Sequence, residues 1–251
     1  MAPPPLISKE TTVKSETYFV TIDLGGRPSP NPMTGIFVPE NYKFSAEVDV
    51  ILWLMGHHNN PTYPASLTIQ QYWTQYSSFH FREFVNIGNK NVILAAPTLG
   101  PTSQSGNLIN SSGLSNYLDQ VFAALGAYSS FQSIPTLRNL VIACHSGGGS
   151  PMLKIAQTIQ TYSGNIKQLW GFDCVYGPVE SSWVQWAQQN SGKMLLIRYG
   201  ESTPDRSKTL KRLAAKQSNI DVDGDTGTHH NDVPQTYWNR FMRQATFFAD
   251  K

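Results

Sequence analysis

The sequence predicts an α/β protein: one domain with a mainly parallel sheet and helices on both faces. Two observations carry this. From about residue 90 onward, short apolar runs alternate with stretches whose apolar residues recur at helical spacing, and a parallel sheet joined by crossover helices buries both kinds of segment. The length of 251 residues suits one large α/β core, and no internal repeat or linker divides it.

The opening residues 1–16, rich in Pro, Lys and Thr, are expected to form a flexible tail, with the domain spanning 17–251. Tyr18–Ile22 alternates as a first strand would. A loop rich in Gly, Pro and Asn follows from Gly25 to Pro32, then a short strand Gly35–Pro39 and a buried one, Val48–Leu54. These three are expected to be the antiparallel start of the sheet. An aromatic helical stretch between Leu67 and Ile87 leads to the strand Asn91–Ala96, stopped by Pro97. The helix Ser115–Tyr128 places Tyr117, Leu118, Val121, Phe122 and Leu125 on one face. Next come a strand Leu140–Ala143, a helix from Gly148 to about Tyr162, a strand Gln168–Asp173 and a helix through Trp183 and Trp186. The strand Lys193–Arg198, helix Leu210–Lys216, strand Asn219–Val222 and helix Tyr237–Phe248 complete the expected order.

Composition narrows the function. Hydrophobic residues make up 40% and charged residues 14%, which is too apolar for disorder. The longest dense apolar run, Val48–Met55, contains Asp49 and falls far short of the ~20 residues a spanning helix needs, so no membrane span is expected. The net charge of +2, with 19 basic and 17 acidic residues and no basic run, gives no footprint for nucleic acid. Met1-Ala2-Pro3-Pro4-Pro5 lacks the basic-then-apolar order of a secretory signal, and a cytoplasmic location is expected. Cys144 and Cys174 make no disulfide framework and read as small buried hydrophobes at strand ends.

The strongest chemical signal is Val141-Ile142-Ala143-Cys144-His145-Ser146-Gly147-Gly148-Gly149, an apolar strand running through a serine among small residues into a helix. A sharp strand-to-helix turn lifts a serine Oγ above the sheet and leaves the next backbone N–H, that of Gly147, free to face a developing oxyanion. Small neighbours make such a turn sterically possible. A phosphate-binding loop is the rival reading, but no Lys-Ser or Lys-Thr pair follows the glycines.

In these residues the chain resembles the α/β-hydrolase superfamily, whose G-x-S-x-G motif is matched as Cys144-His145-Ser146-Gly147-Gly148 with Cys in place of the first Gly. Upstream, Val38-Pro39-Glu40-Asn41-Tyr42 and then Leu52-Trp53-Leu54-Met55-Gly56-His57-His58 are similar to the strand pair and oxyanion loop of feruloyl esterases and polyhydroxybutyrate depolymerases. The resemblance implies a second oxyanion donor at Gly56 or His57. It also implies a histidine base in the loop Gly227-Thr228-His229-His230-Asn231-Asp232-Val233-Pro234. His230 is chosen over His229, because a histidine a few residues before Val-Pro is similar to the superfamily's C-terminal pattern.

For the acid, Asp173 at a strand's carboxyl end is preferred, with Glu201 and Asp205 after the following strand as alternatives. The pairs His57-His58 and His229-His230 lack zinc-helix spacing, and Asp221–Gly227 departs from a calcium loop, so neither metal nor cofactor is expected. The aromatic set Tyr63, Tyr72, Trp73, Tyr76, Phe79 and Phe81 reads as core, and Trp183 and Trp186 as either helix packing or the wall of an acyl or aromatic pocket. The expected activity is serine-dependent cleavage of a small-molecule ester through Ser146, His230 and Asp173. The alternatives are a peptidase or amidase with the same residues, or a non-catalytic binding protein of the same fold.

Overall fold

The computed structural model describes all residues except Val13, Lys14, Arg27, Pro28, Pro30, Asn59 and Pro61. The middle of the expected loop Gly25–Pro32 therefore lies partly outside the described residues.

Among the described residues nine strands form one sheet: β1 (Leu6–Thr11), β2 (Glu16–Thr21), β3 (Met33–Val38), β4 (Glu47–Leu54), β5 (Ile93–Pro97), β6 (Thr136–His145), β7 (Ile166–Phe172), β8 (Met194–Tyr199) and β9 (Ile220–Gly224). Seven α-helices accompany them: α1 (Ile69–Gln75), α2 (Phe81–Ile87), α3 (Gly113–Tyr128), α4 (Gly149–Thr158), α5 (Glu180–Gln189), α6 (Pro204–Leu213) and α7 (Val233–Gln244). Strand order is β1-β2-β3-β5-β4-β6-β7-β8-β9. The first three strands and the β3–β5 pair are antiparallel, and from β5 to β9 all pairs are parallel.

Helices cover both faces, and successive residues of β7 show how. Trp170 and Phe172 point to one face, where they meet Trp238 and Phe241 of α7. Between them, Gly171 faces Met152 of α4 and Cys174 on the other. Two-sided burial is why the central strands read as nearly unbroken apolar runs: every residue of β4 after Glu47 is buried. The one charge inside β4, Asp49, is fully buried. It accepts from Arg138 Nε at 2.9 Å and Nη2 at 2.6 Å, and from Asn139 Nδ2 at 2.8 Å. A buried carboxylate survives only with such partners.

Three expectations are corrected. The segment to about Glu16 is not simply a tail, because Leu6–Thr11 forms an edge strand against β2. Its burial is shallow, with Leu6 and Ile7 exposed and the remaining residues polar, as suits an edge, and Lys9 pairs with Glu16 at 2.6 Å. The strand at Val48–Leu54 does not belong to the antiparallel start: it lies between β5 and β6, parallel to both. The long connection through α1 and α2 permits that crossover, which no hairpin could make. The last two helices begin earlier than periodicity suggested. Pro204 and Pro234 each sit in the first turn, where a missing N–H costs nothing.

Candidate active site

The carboxyl ends of β4, β6, β7 and β8 meet at one edge of the sheet, which is where an open parallel sheet leaves a crevice. Strand β6 ends at His145. Ser146–Gly148 then makes a single 3₁₀ turn, and α4 begins at Gly149. Ser146 is held at φ 54°, a left-handed conformation that a serine adopts only when its surroundings impose it. The glycines explain the fit. A Cβ on Gly148 would strike the Leu54 carbonyl of β4, and one on Gly149 the backbone of Cys174.

The loop after β4 passes directly over this turn. An added Cβ on Gly56 would lie 2.8 Å from Ser146 Cβ and 3.4 Å from Oγ, and the His57 ring packs on Gly147. The His58 N–H is committed to the Pro101 carbonyl at 2.7 Å. Burial lowers the pKa of both histidines. His57 is exposed over the turn, while the His58 ring is buried with its Nε2 unpartnered.

The structure brings Asp173 and His230 together: His230 Nδ1 lies 2.7 Å from Asp173 Oδ2. Asp173 follows β7 directly, at φ 45°, and is fully buried. Burial works against its charge. However, hydrogen bonds from His230, from Thr203 Oγ1 at 2.6 Å and from the Gly200 N–H at 3.1 Å outweigh it and hold the carboxyl down at about 2. The N–H groups of Ser202 and Thr203 also donate, at 3.2 and 3.0 Å. The loop after β8 is thus a cradle for the Asp173 carboxylate and supplies no carboxylate to the His230 ring.

Glu201 and Asp205 stand elsewhere. Glu201 Oε1 accepts the backbone N–H of His230 at 3.1 Å and lies 3.5 Å from His229 Nε2. Asp205 occupies the first turn of α6, where its charge complements the helix N-terminus. His229 is exposed, and its Nδ1 accepts from the Asn231 N–H. The Asp-rich turn is likewise engaged: Asp221 pairs with buried Arg198 at 2.7 Å, and Asp225 accepts from the Gly227 N–H.

Sequence reasoning passed over His145. Its ring is buried against His230, with ring centroids 4.4 Å apart, and its Nε2 meets the His230 carbonyl at 3.0 Å. Burial, and the neighbouring His230 ring, lower its pKa to about 3. In the motif it occupies a position open to any residue, so only the partner across the fold gives it meaning. Cys144 and Cys174 are free and buried, as expected, and burial pushes the Cys144 thiol well up.

Among the described residues two cavities open on Ser146. One, of about 590 Å³, lies between α4 and α5 and includes Leu153, Cys174, Tyr176, Val179 and Trp183. The other, of about 460 Å³, includes Tyr63, Tyr72, Phe79, His145 and His230. Part of the aromatic set expected as core therefore also faces this second space. Tyr72, Trp73, Phe79 and Phe81 are buried as anticipated.

This arrangement is the α/β-hydrolase fold. A ferulic acid esterase superposes with a TM-score of 0.59 at 12% identity, over 93% of this chain and 96% of that one. The dienelactone hydrolase of Anabaena variabilis gives 0.50 at 12% identity, over 94% and 97%. A soluble variant of the monoglyceride lipase of Saccharomyces cerevisiae gives 0.50 at 11%, over 98% and 96%. No protein-family model matches the chain. No curated protein matches it by sequence. Among the described residues no helix is long and apolar enough to cross a membrane.

Proposed function

We propose that the protein is a serine hydrolase that cleaves a carboxylic ester of a small molecule, with Ser146 as nucleophile, His230 as base and Asp173 as the acid that orients it. The observation that carries this reading is the 2.7 Å contact between His230 Nδ1 and a buried, multiply hydrogen-bonded Asp173, beside a cavity that His230 shares with Ser146. A carboxylate kept ionised at Nδ1 fixes the tautomer that presents a bare Nε2 to the serine and stabilises the imidazolium that forms.

Ser146 Oγ attacks the ester carbonyl as Nε2 of His230 takes its proton, and negative charge moves onto the carbonyl oxygen. The Gly147 N–H and a second N–H from Gly56 or His57 receive that charge. Collapse expels the alcohol, which leaves with the proton from His230. Water, deprotonated by the same imidazole, then releases the acid and returns the proton to Ser146. The esterase, lipase and hydrolase neighbours on the same fold are consistent with this chemistry.

A fluorophosphonate tests the reading, since only an activated serine reacts with it at useful speed. Labelling at Ser146, lost in Ser146→Ala, is expected, as is turnover of nitrophenyl esters in preference to nitroanilides. Anilide turnover alone would make the protein an amidase. Absence of both activities together with undiminished labelling in the alanine variant would overturn the proposal.

A further inference from the structure

The two cavities at Ser146 differ in which catalytic group they contain, and that difference assigns them. The smaller is walled by His230, together with Tyr63, Phe79 and Asn231. The larger runs along α4 and α5 past Leu153, Cys174, Val179 and Trp183, and among the described residues His230 is not part of its wall. Tyr176 stands at the boundary. It lines the larger cavity, its hydroxyl is near those of Ser146 and Ser202, and its ring lies edge-on to His230 at 6.4 Å.

Proton delivery decides the orientation. When the tetrahedral intermediate collapses, the bond from carbonyl carbon to alkoxy oxygen breaks and that oxygen takes the proton held on His230. The alkoxy oxygen must therefore face the imidazole, and the alcohol extends into the cavity His230 lines. The acyl substituent on the same carbon points away from the base. In the second half-reaction water enters from the His230 side, its hydroxide adds to the acyl carbon, and the Ser146 Oγ–carbon bond breaks as Oγ regains a proton.

Resting on the serine-hydrolase reading above, we propose that the acyl group occupies the α4–α5 cavity, and that the preferred substrates are esters of apolar acids much longer than acetate. The cavity of about 590 Å³ lies within the roughly 300–1,000 Å³ range of small-molecule sites. Its apolar wall is Leu153, Cys174, Val179 and Trp183; of its polar members, Ser150, Lys154 and Gln157 are exposed on α4, and Ser182 is half-buried on α5. Among the described residues no buried charged side chain lines this cavity, and apolar burial is the main driving force available there.

The test is a matched series of nitrophenyl esters from acetate to decanoate, set beside acetates of alcohols from ethyl to octyl. For the unmodified protein, kcat/KM is expected to rise about fourfold per acyl methylene until the cavity is full, with a weaker dependence on the alcohol. Ser182→Trp and Val179→Trp, two independent ways of filling the α4–α5 cavity, should each lower the octanoate-to-acetate ratio at least tenfold and leave the ranking of alcohols unmoved. A rate independent of acyl length, or variants that reorder the alcohols instead, would overturn the assignment while Ser146 labelling by a small fluorophosphonate upholds the hydrolase reading. Absence of that labelling would overturn both.

Discussion

Nε2 of His145, the residue immediately before Ser146, lies 3.0 Å from the carbonyl oxygen of His230. A carbonyl only accepts, so Nε2 carries the proton and His145 is the donor. One residue thereby ties the loop that holds the imidazole to the strand that presents the serine. Its burial also keeps its ring uncharged.

His145→Gln keeps an N–H donor at about the right reach, whereas His145→Phe keeps the ring and loses the donor. The glutamine variant is expected to stay within a few-fold of the parent in kcat. The phenylalanine variant should lose about 10- to 100-fold in kcat with KM little changed, the scale of a small misplacement of a catalytic group. Steady-state kinetics on folded variants measure both. Equal losses in the two would show that the donor is irrelevant.

His145 also predicts a pH dependence of stability. Its folded pKa, about 3, lies below its ordinary value of 6.5, so the unfolded chain binds the extra proton first. Stability from this residue is complete above 6.5 and is lost as pH falls from there toward 3. Between pH 7 and pH 5 the loss is about 2 kcal/mol. Urea unfolding at the two pH values should show that His145→Gln, less stable or not at pH 7, loses about that much less on acidification than the parent does. An unchanged pH dependence would mean that the ring is not held neutral.

Asp173→Asn is expected to lower ester turnover by about 10⁴, the cost of the same change in a comparable triad. Four donors besides His230 converge on this carboxylate, so the melting temperature should fall as well. Glu201→Gln keeps an oxygen for the His230 N–H, Asp205→Asn changes only a helix terminus, and His229→Ala removes an exposed ring. Each should retain most activity. A crippling effect of Glu201→Gln or Asp205→Asn beside a nearly silent Asp173→Asn would move the acid to the loop after β8.

Asp221→Ala removes the one carboxylate that, among the described residues, pairs with Arg198, whose side chain is fully buried in β8, packs over Phe241 and otherwise donates to the backbone carbonyls of Ile197 and Asp221. The expected cost is about 2–3 kcal/mol, at the low end for a broken buried pair because Asp221 itself is partly exposed. Arg198 also accepts the Asp173 N–H through its carbonyl at 2.6 Å, so the loss should be accompanied by reduced turnover. Chemical denaturation and ester kinetics on the same sample check both. A fully stable Asp221→Ala would show that the backbone carbonyls of Ile197 and Asp221 suffice for Arg198.

The strand order along the chain, the serine turn and the histidine loop were legible in the sequence because their signals are local. Apolar runs such as Val141-Ile142-Ala143 are buried on both faces, and three glycines after Ser146 permit a turn that larger side chains would block against Leu54 and Cys174. The edge strand Leu6–Thr11 was not legible, since it buries little and, beyond Leu6 and Ile7, has only polar residues, in a segment rich in Pro, Lys and Thr that reads as a tail. The placement of β4 between β5 and β6 was equally hidden, because pairing partners are chosen by the whole sheet. That Asp173, and not Glu201 or Asp205, meets the His230 ring depends on a contact across 57 positions of chain, which spacing cannot encode. His145 shows the same limit most plainly: an unrestricted position in a local motif acquires its role only when folding brings the His230 carbonyl to its Nε2.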